Sequence, residues 1–353
     1  MEKYDHIIVG QGIAGSVLAT QLLRQKKKVL VIDSPALPSS SKVAAGIWNP
    51  VVFKRLTKSW MADELLPELF SFYIEAGKRS GNAFLHPRNI AKQFTEEQEK
   101  TFWLKKSAGE MRNYLDELIY NSHSVSGNDY ALVLNSGNLD MLKFLESTKQ
   151  LLQQQHALLQ EKFEHDLLTI KNGSVQYKNA EATSIIFCEG YNCIHNPYFN
   201  WVPFKPAKGE VLTIKCAGLN LQQIINKGIF ILPLGKDLYK VGATYEWEEL
   251  NGSATEKAKL ELVEKLEKVI SLPYTITSHE SGIRPSTIDR RPIIGNHPEF
   301  PVLKIFNGMG TKAVMLAPYF AKHFINFMEN KEAIGPEANV DRFKKYYKTV
   351  SGN

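Results

Sequence analysis

Residues 4–33 read YDHIIVGQGIAGSVLATQLLRQKKKVLVID, and this stretch decides the fold. An apolar run ending at Val9 leads into Gly10-Gln11-Gly12-Ile13-Ala14-Gly15, after which apolar residues recur at helical spacing. A second apolar run, 29–32, ends at Asp33. The order of strand, glycine turn, helix, strand and acid is typical of a dinucleotide-binding unit. It predicts an α/β fold with a doubly wound, Rossmann-like parallel sheet.

The three glycines of the motif have separate tasks. Gly10 permits the tight turn, Gly12 lets backbone N–H groups approach a diphosphate, and Gly15 lets the helix pack closely on the sheet. The diphosphate then lies at a helix N-terminus, where the helix dipole favours negative charge. Asp33 is placed to bind a ribose hydroxyl and disfavours a 2′-phosphate. The motif alone leaves FAD and NAD both open.

Length and composition indicate a globular protein of two domains. The chain has 353 residues, 43% hydrophobic and 23% charged. The net charge is +6, but the Lys and Arg residues are scattered, so no nucleic-acid partner is expected. No apolar run approaches the roughly 20 residues of a membrane span, and the first strand begins too near Met1 for a signal peptide.

The cysteines indicate a reducing compartment. Cys188, Cys193 and Cys216 are too few for a disulfide framework, and their spacing matches no common zinc pattern. We therefore expect a cytoplasmic protein without a metal site.

Further along, the pattern predicts helices and strands on both sides of a polar break at 77–82. Apolar spacing predicts a helix over 58–78, and Thr95-Glu96-Glu97-Gln98 has the spacing of a capping box that begins a helix ending near Ser107. The next predicted elements are a strand at 130–134, a turn at 136–138, a helix over 139–155, and strands at 158–170, 174–177 and 183–188.

A second excursion follows residue 197. Three strands, 209–214, 229–232 and 239–243, suggest an antiparallel sheet. Ser253-Ala254-Thr255-Glu256 is a second capping box, and the helix after it should lay an apolar stripe on that sheet: Leu260, Val263, Leu266, Val269 and Ile270. The last predicted elements are a strand at 303–306, a glycine turn at 307–312 and a helix over 313–330.

These pieces, in this order, resemble the D-amino-acid oxidase superfamily of FAD enzymes, most closely its glycine-oxidase and sarcosine-oxidase-like branch. Four blocks carry the resemblance and together cover most of the chain: Gly10 to Asp33, Ala44-Ala45-Gly46, Gly190 with the Lys208-Gly209-Glu210 turn, and Gly282-Ile283-Arg284-Pro285 through Pro318. The first block is generic, and the last is specific to the superfamily.

The resemblance implies an FAD-binding domain of the glutathione-reductase type, interleaved with an α+β substrate domain built on an antiparallel sheet. The FAD-binding domain would comprise residues 1–76, 136–200 and 279–353, and the substrate domain residues 77–135 and 201–278. The antiparallel sheet would then cover the reactive face of the flavin.

The resemblance also implies site residues. Arg284 would grip the substrate's carboxylate, since a guanidinium fork suits a two-point contact, and a structural pairing of Arg284 with Asp289 is the alternative. Lys312 would place positive charge near the flavin, although a solvated lysine at a helix start is also open. The other expected substrate contacts are Trp48, Phe230 and Tyr245. The expected cofactor contacts are Gly10, Gly12, Ile13, Ala14, Gly15, Asp33, Ser34, Lys42, Ala44, Ala45, Gly46, Phe163, Cys188, Glu189, Gly190, Gly282, Arg284, Gly308, Met309, Gly310, Thr311 and Lys312.

The chain departs from the family pattern at four places, and one of them is Glu189, which replaces the small polar residue common before Gly190. The glycine oxidases carry a tyrosine where Phe230 aligns and a second arginine near Thr311, so the pocket lacks a hydroxyl and a charge. Residues 281–295 contain no cysteine that could tether a flavin, so FAD should be bound non-covalently.

The function expected from the resemblance is oxidation of the C–N bond of a small amine or amino acid, by hydride transfer to the flavin N5. O2 or another acceptor would reoxidise the flavin. Two alternatives stay open at this point. One is an oxidase that acts on a carboxymethylaminomethyl group of a tRNA wobble uridine, and the other is a flavin-binding protein without amine oxidase activity.

Overall fold

The structure, a computed structural model, describes residues 1–121, 129–171 and 173–350. Residues 122–128, inside the expected 77–135 segment, and Asn172 lie outside the described residues. Within the described ranges the α-helices are α1 (Ile13–Arg24), α2 (Ser40–Val43), α3 (Ala62–Ser80), α4 (Glu97–Ser107), α5 (Met141–Gln154), α6 (Glu256–Glu267), α7 (Ala313–Met328) and α8 (Lys344–Val350).

The strands form two large sheets and two small ones. In chain order they are β1 (Glu2–Val9), β2 (Val29–Ile32), β3 (Ile47–Trp48), β4 (Val51–Val52), β5 (Thr57–Lys58), β6 (Leu85–Pro87), β7 (Ile90–Gln93), β8 (Tyr120–Asn121), β9 (Asp129–Val133), β10 (Gly137–Leu139), β11 (Leu158–Leu159), β12 (Leu168–Lys171), β13 (Ser174–Tyr177), β14 (Ala180–Phe187), β15 (Ala207–Lys215), β16 (Ile224–Asn226), β17 (Phe230–Gly235), β18 (Leu238–Gly242), β19 (Thr275–Arg284), β20 (Ile293–Asn296) and β21 (Leu303–Asn307).

The first large sheet is built on five parallel strands. Its order begins β11-β2-β1-β14, and β21 pairs in parallel with the end of β14. Both ends of the chain therefore contribute to one sheet. All four residues of β2 are buried, as expected for a parallel strand that is covered on both faces. Helices α1 and α7 pack against each other over this sheet.

The second large sheet contains the expected antiparallel strands. Its order is β19-β15-β18-β17-β16-β7-β9-β8, and only the pairing of β7 with β16 is parallel. Helix α6 packs on one face of this sheet through Leu262 and Leu266, which are fully buried. The prediction of a doubly wound α/β sheet with a second, antiparallel sheet is confirmed.

Several local predictions were wrong in detail. The N-cap of α6 is Thr255, because its Oγ1 accepts a hydrogen bond from the N–H of Ala258, and Leu260 is exposed. The N-cap of α4 is Glu96 rather than Thr95, and Glu99 rather than Gln98 accepts from the N–H of Thr95, at 2.8 Å. Residues 158–170 form two short strands joined by a 3-10 turn at His165–Leu167.

Residues 279–284, which were expected in the nucleotide-binding domain, belong to β19, and β19 pairs with β15 in the antiparallel sheet. The Lys208-Gly209-Glu210 segment was expected to be a turn and instead lies within β15. The domain boundaries stay a prediction.

No helix among the residues that the structure describes is both long enough and apolar enough to cross a membrane.

Candidate active site

A cavity of about 810 Å³ runs between the two large sheets. One end is formed by the glycine turn after β1, and the other by β15, β17, β18 and β19. The expected contacts that line it are Gly10, Gly12, Ile13, Ala14, Asp33, Ser34, Lys42, Ala44, Ala45, Gly46, Phe163, Cys188, Glu189, Gly190, Phe230, Tyr245, Gly282, Arg284, Met309, Gly310 and Thr311.

Four expected contacts lie outside the cavity wall. Gly15 and Gly308 shape the chain behind the wall, and the side chain of Lys312 points away from it, where Nζ donates a hydrogen bond to Ser59 Oγ. Trp48, an expected substrate contact, also does not line the cavity. Successive residues of a strand point to opposite faces, so Ile47 of β3 lines the cavity while the Trp48 indole is buried in the core and donates to Asn135 O at 2.9 Å.

The turn between β1 and α1 is tight enough to exclude side chains. A Cβ on Gly10 would lie 2.6 Å from Cys188 O, and a Cβ on Gly15 would lie 1.9 Å from Gly10 O. Gly10 also has a φ of +101°, which glycine adopts without strain. Glycine at these positions lets the N-terminus of α1 open directly onto the cavity, which suits a bound diphosphate.

Asp33 closes the nucleotide end of the turn. Its Oδ1 accepts a hydrogen bond from the Gln11 N–H at 2.8 Å, which fixes the carboxylate beside the glycines. Burial raises the pKa of Asp33, and the hydrogen bond from Gln11 acts in the opposite direction. A ribose hydroxyl would supply a donor to this partly desolvated carboxylate.

The far nucleotide end of the cavity is aromatic and acidic. The Phe163 ring stacks on Tyr177 with the ring centres 4.6 Å apart, in a segment between β11 and β12 rather than within a strand. Glu189 Oε1 lies 3.3 Å from His165 Nε2, and Glu189 Oε2 accepts from the side-chain amide of Asn196 at 2.7 Å. Glu189 is thereby held by neighbouring side chains at the end of β14.

Arg284, the last residue of β19, lies at the other end of the cavity. Its Nη1 donates to Lys208 O and its Nη2 to Thr244 O, both at 3.2 Å. The guanidinium crosses the face of Gly209, where a Cβ would lie 2.0 Å from Nη2. Burial lowers the pKa of Arg284, although a guanidinium keeps its charge at any ordinary pH.

Within the described part of the chain, no carboxylate lies within 4 Å of the Arg284 guanidinium. The expected alternative partner, Asp289, instead pairs with Arg342, whose Nε is 2.8 Å from Asp289 Oδ2. A desolvated cation that faces a cavity without a counter-ion is suited to bind an anion, because the anion would offset the cost of the buried charge.

Sequence reasoning missed a group of cavity residues. Ser41 lies at the start of α2, and its Oγ accepts a hydrogen bond from the N–H of Ile13 at 3.1 Å. The run of serines at 39–41 was a usable signal in the sequence. The others are brought to the cavity by distant elements: Asn49, Phe53, Ile90, Glu161, His165, Gly209, Ile224, Asn226, Leu250, Asn251, Gly252 and Ser281.

The model of the DAO family, described as FAD dependent oxidoreductase, matches residues 5–326. The chain belongs to this family. FAD is therefore the cofactor, and the expectation drawn from the four sequence blocks is confirmed.

Relatives of this FAD dependent oxidoreductase include glycine oxidases. The curated glycine oxidase of Pseudomonas aeruginosa is 26% identical over 138 residues, which are 38% of this chain and 37% of that protein. The match thus spans little more than a third of the length of that relative.

Two solved structures share the fold over nearly the whole chain. Iminodiacetate oxidase from Chelativorans sp. BNC1 superimposes with a TM-score of 0.77 at 15% identity, covering 95% of this chain and 99% of that one. Glycine oxidase from Bacillus cereus ATCC 14579 superimposes with a TM-score of 0.76 at 18% identity, covering 94% of this chain and 96% of that one.

The residues of the oxidoreductase fit FAD. The glycine turn packs too closely on Cys188 and on its own backbone for side chains at Gly10 and Gly15, and it presents the N-terminus of α1 to the cavity. Asp33 is held beside this turn for the ribose, and the cavity continues past Ala44-Ala45-Gly46 to the antiparallel sheet. In the described residues no group of three or more His, Cys, Asp or Glu side chains could hold a metal ion.

Proposed function

We propose that this FAD dependent oxidoreductase oxidises the C–N bond of a small amine or amino acid that carries a carboxylate. The observation that supports the proposal is Arg284, a desolvated guanidinium that faces the cavity without a carboxylate partner among the described residues. FAD, when bound, supplies an acceptor for the two electrons that the C–N bond loses. The imine product would then be hydrolysed by water.

The side chains around Arg284 would orient the substrate. Its two nitrogens already donate to backbone carbonyls, which fixes the plane of the guanidinium and leaves other N–H groups for a two-point contact with a carboxylate. Phe230, Ile224 and Ile90 add apolar wall to the cavity from β17, β16 and β7 of the same sheet. They would exclude water and hold the reacting C–H bond in place.

No general base is assigned. A neutral amine can be oxidised without one, so the contribution of the protein is binding, orientation and exclusion of water. His279, on β19, lies 2.8 Å from Glu210 Oε2 and does not line the cavity. We also propose that FAD is bound non-covalently. If so, acid precipitation of the protein should leave the yellow colour in the supernatant.

The test is anaerobic mixing of the purified protein with glycine, sarcosine, D-amino acids and proline, while the flavin absorbance is followed. At least one carboxylated amine should bleach the flavin. Arg284→Met should slow bleaching at low substrate concentration by about 100-fold, because the carboxylate of the bound substrate loses its positively charged partner. Arg88→Met is the matched control. Arg88 also donates to a backbone carbonyl of the antiparallel sheet, Pro233 O at 2.8 Å, but it does not line the cavity.

The result also separates the alternatives. Bleaching by a small amine in the absence of RNA supports the proposal against oxidation of a tRNA base. A yellow protein that no carboxylated amine bleaches would favour a flavin-binding protein without amine oxidase activity. Unchanged bleaching in Arg284→Met would show that the carboxylate contact is assigned to the wrong residue.

A further inference from the structure

A twelve-residue segment covers the carboxylate end of the cavity. Residues 244–255, here called the 244–255 loop, connect β18 to α6 without forming a helix or a strand of their own. Tyr245, Leu250, Asn251 and Gly252 line the cavity from this loop. A loop of this length needs fixed contacts if it is to present side chains in one geometry.

Two neighbouring residues of β15, Lys208 and Glu210, fix the start of the loop. Lys208 N donates to Glu246 O at 2.8 Å, and Glu246 N donates back to Lys208 O at 3.0 Å. The N–H of Glu210 donates to Thr244 Oγ1 at 3.0 Å. The first three residues of the loop are thereby held against the strand.

The side chains of the same two residues hold the middle and the end of the loop. Lys208 Nζ donates to Asn251 Oδ1 at 3.4 Å and to Ser253 O at 3.1 Å. Glu210 accepts from the Thr255 N–H at 2.8 Å and from Thr255 Oγ1 at 3.0 Å. Since Thr255 caps α6, the Glu210 carboxylate also lies at the positive end of a helix dipole.

Lys208 and Glu210 form a buried ion pair. Nζ of Lys208 is 3.3 Å from Oε1 of Glu210, and each side chain is 1% exposed. Apolar residues of similar volume often stabilise a fold as well as such a pair does. Apolar residues could not, however, supply the donors and acceptors that fix Asn251, Ser253 and Thr255.

The Arg284 guanidinium contacts Lys208 itself and residues of the loop that Lys208 and Glu210 hold. Nη1 donates to the carbonyl of Lys208, Nη2 donates to the carbonyl of Thr244, and the guanidinium stacks on the ring of Tyr245. Lys208 and Glu210 flank Gly209 in β15, so their side chains point to the face opposite Arg284 and do not reach the cavity.

We propose that Lys208 and Glu210 are positioning residues, which hold the 244–255 loop and, through it, the Arg284 guanidinium in the geometry that binds a carboxylate. The reference to a carboxylate rests on the proposed function. The statement about the loop does not.

The first experiment measures the loop directly, by hydrogen–deuterium exchange of the holoenzyme. In Glu210→Gln, the amides of peptides covering 244–255 should exchange at least about tenfold faster, because hydrogen bonds to a charged group are lost. Glu99→Gln is the matched control: Glu99 also accepts from the N–H and Oγ1 of a threonine, Thr95, with Lys92 Nζ at 3.4 Å, but it lies away from the cavity. Exchange in the loop that is the same in Glu210→Gln and wild type would overturn the proposal.

The second experiment compares acetate with acetamide, titrated against the flavin absorbance of the holoenzyme. In Glu210→Gln the preference for acetate should fall about tenfold, while acetamide affinity stays within about twofold of wild type. Affinities that fall in parallel, or an unchanged preference, would contradict a positioning role. If the wild-type protein shows no preference for acetate, the proposed function fails, and the exchange experiment still tests the loop.

A second variant covers the case in which Glu210→Gln does not fold. The double variant Lys208→Met with Glu210→Leu removes both charges of the pair, so neither is left buried without the other, and it should fold. It should show the same loss of acetate preference and the same faster exchange in the loop. Wild-type values for both measurements in the double variant would overturn the proposal.

Discussion

The guanidinium carbon of Arg284 lies 4.2 Å from the centre of the Tyr245 ring. Arg284 comes from β19, whereas Tyr245 comes from the loop that follows β18, so two separate segments meet at one charge. Tyr245 is 55% exposed and therefore lies on the solvent side of the Arg284 guanidinium.

Tyr245→Ala should weaken acetate binding about two- to fivefold, because a cation–π contact at an exposed site contributes about 0.5–1 kcal/mol. Tyr245→Phe keeps the aromatic face and should bind acetate as the wild type does. The dissociation constants can be measured by titration of the flavin absorbance. If Phe weakens binding as much as Ala does, the hydroxyl and not the ring face is responsible.

A side chain at Gly209 should disturb Arg284. A Cβ at this position would lie 2.0 Å from Nη2 and 2.3 Å from Cζ of Arg284, so the guanidinium would have to move. We expect Gly209→Ala to reduce acetate affinity about tenfold or more, in line with the roughly 1–3 kcal/mol cost of overpacking.

Gly109→Ala provides the comparison for Gly209→Ala, because a Cβ at Gly109 would lie 3.6 Å from Lys105 O, an ordinary van der Waals distance. Acetate affinity should be unaffected in that variant. An unchanged affinity in Gly209→Ala would mean that the guanidinium can bind carboxylate from a second position.

The nucleotide end of the site could be predicted from sequence because its parts are close together in the chain. Strand, glycine turn, helix and Asp33 all fall within thirty residues, and each obeys a local rule of spacing. The prediction of Gly10, Gly12 and Asp33 as cavity residues required no knowledge of the remaining fold.

The carboxylate end could be predicted only in part. Arg284 was expected from the family pattern, but its partners Lys208 O and Thr244 O are backbone atoms brought together by strand pairing, and no side-chain pattern marks them. Trp48 was expected at the cavity but does not line it, because the alternation of side chains along β3 turns its indole into the core. The short sequence of this strand does not show which face each side chain takes. Register and loop course decide such positions, and both depend on long-range contacts.

Stability should depend on pH through His6, a residue of β1 whose Nδ1 lies 2.9 Å from Ser184 Oγ. Burial lowers the pKa of His6 from 6.5 to about 4. Between these values the unfolded chain binds more protons than the folded chain, so the contribution of His6 is fully present above pH 6.5 and is lost as the pH falls toward 4.

His6→Gln should therefore recover about 2 kcal/mol of the stability that the wild type loses between pH 7 and pH 5. Thermal unfolding at the two pH values checks this, and the difference between the two Tm values should shrink in the variant. His156→Asn, at an exposed position with a φ of +50° that asparagine tolerates, should behave as the wild type. An unaltered difference in His6→Gln would assign the acid sensitivity to other groups.

Lys312 should affect the reaction of the reduced flavin with O2. It lies in the 3-10 turn Gly310–Lys312 directly before α7, and burial, together with the charge of Arg291, lowers the pKa of Lys312 to about 8. Its ammonium form is present below pH 8 and is lost above it. If this charge promotes the reaction with O2, the wild-type rate should fall as the pH rises through about 8.

Lys312→Met should lower the reoxidation rate about tenfold at pH 7, because one charge in a partly buried site acts at a distance with about this strength. The variant should also lose the fall of the reoxidation rate near pH 8. The protein can be reduced chemically and mixed with O2, so no substrate is needed. Lys304→Met is the matched control, because burial also lowers the pKa of Lys304 to about 8, but its Nζ donates to Asn296 Oδ1 at 2.8 Å in the β20–β21 pair. Equal rates and pH profiles in the wild type and Lys312→Met would show that Lys312 serves only to hold Ser59.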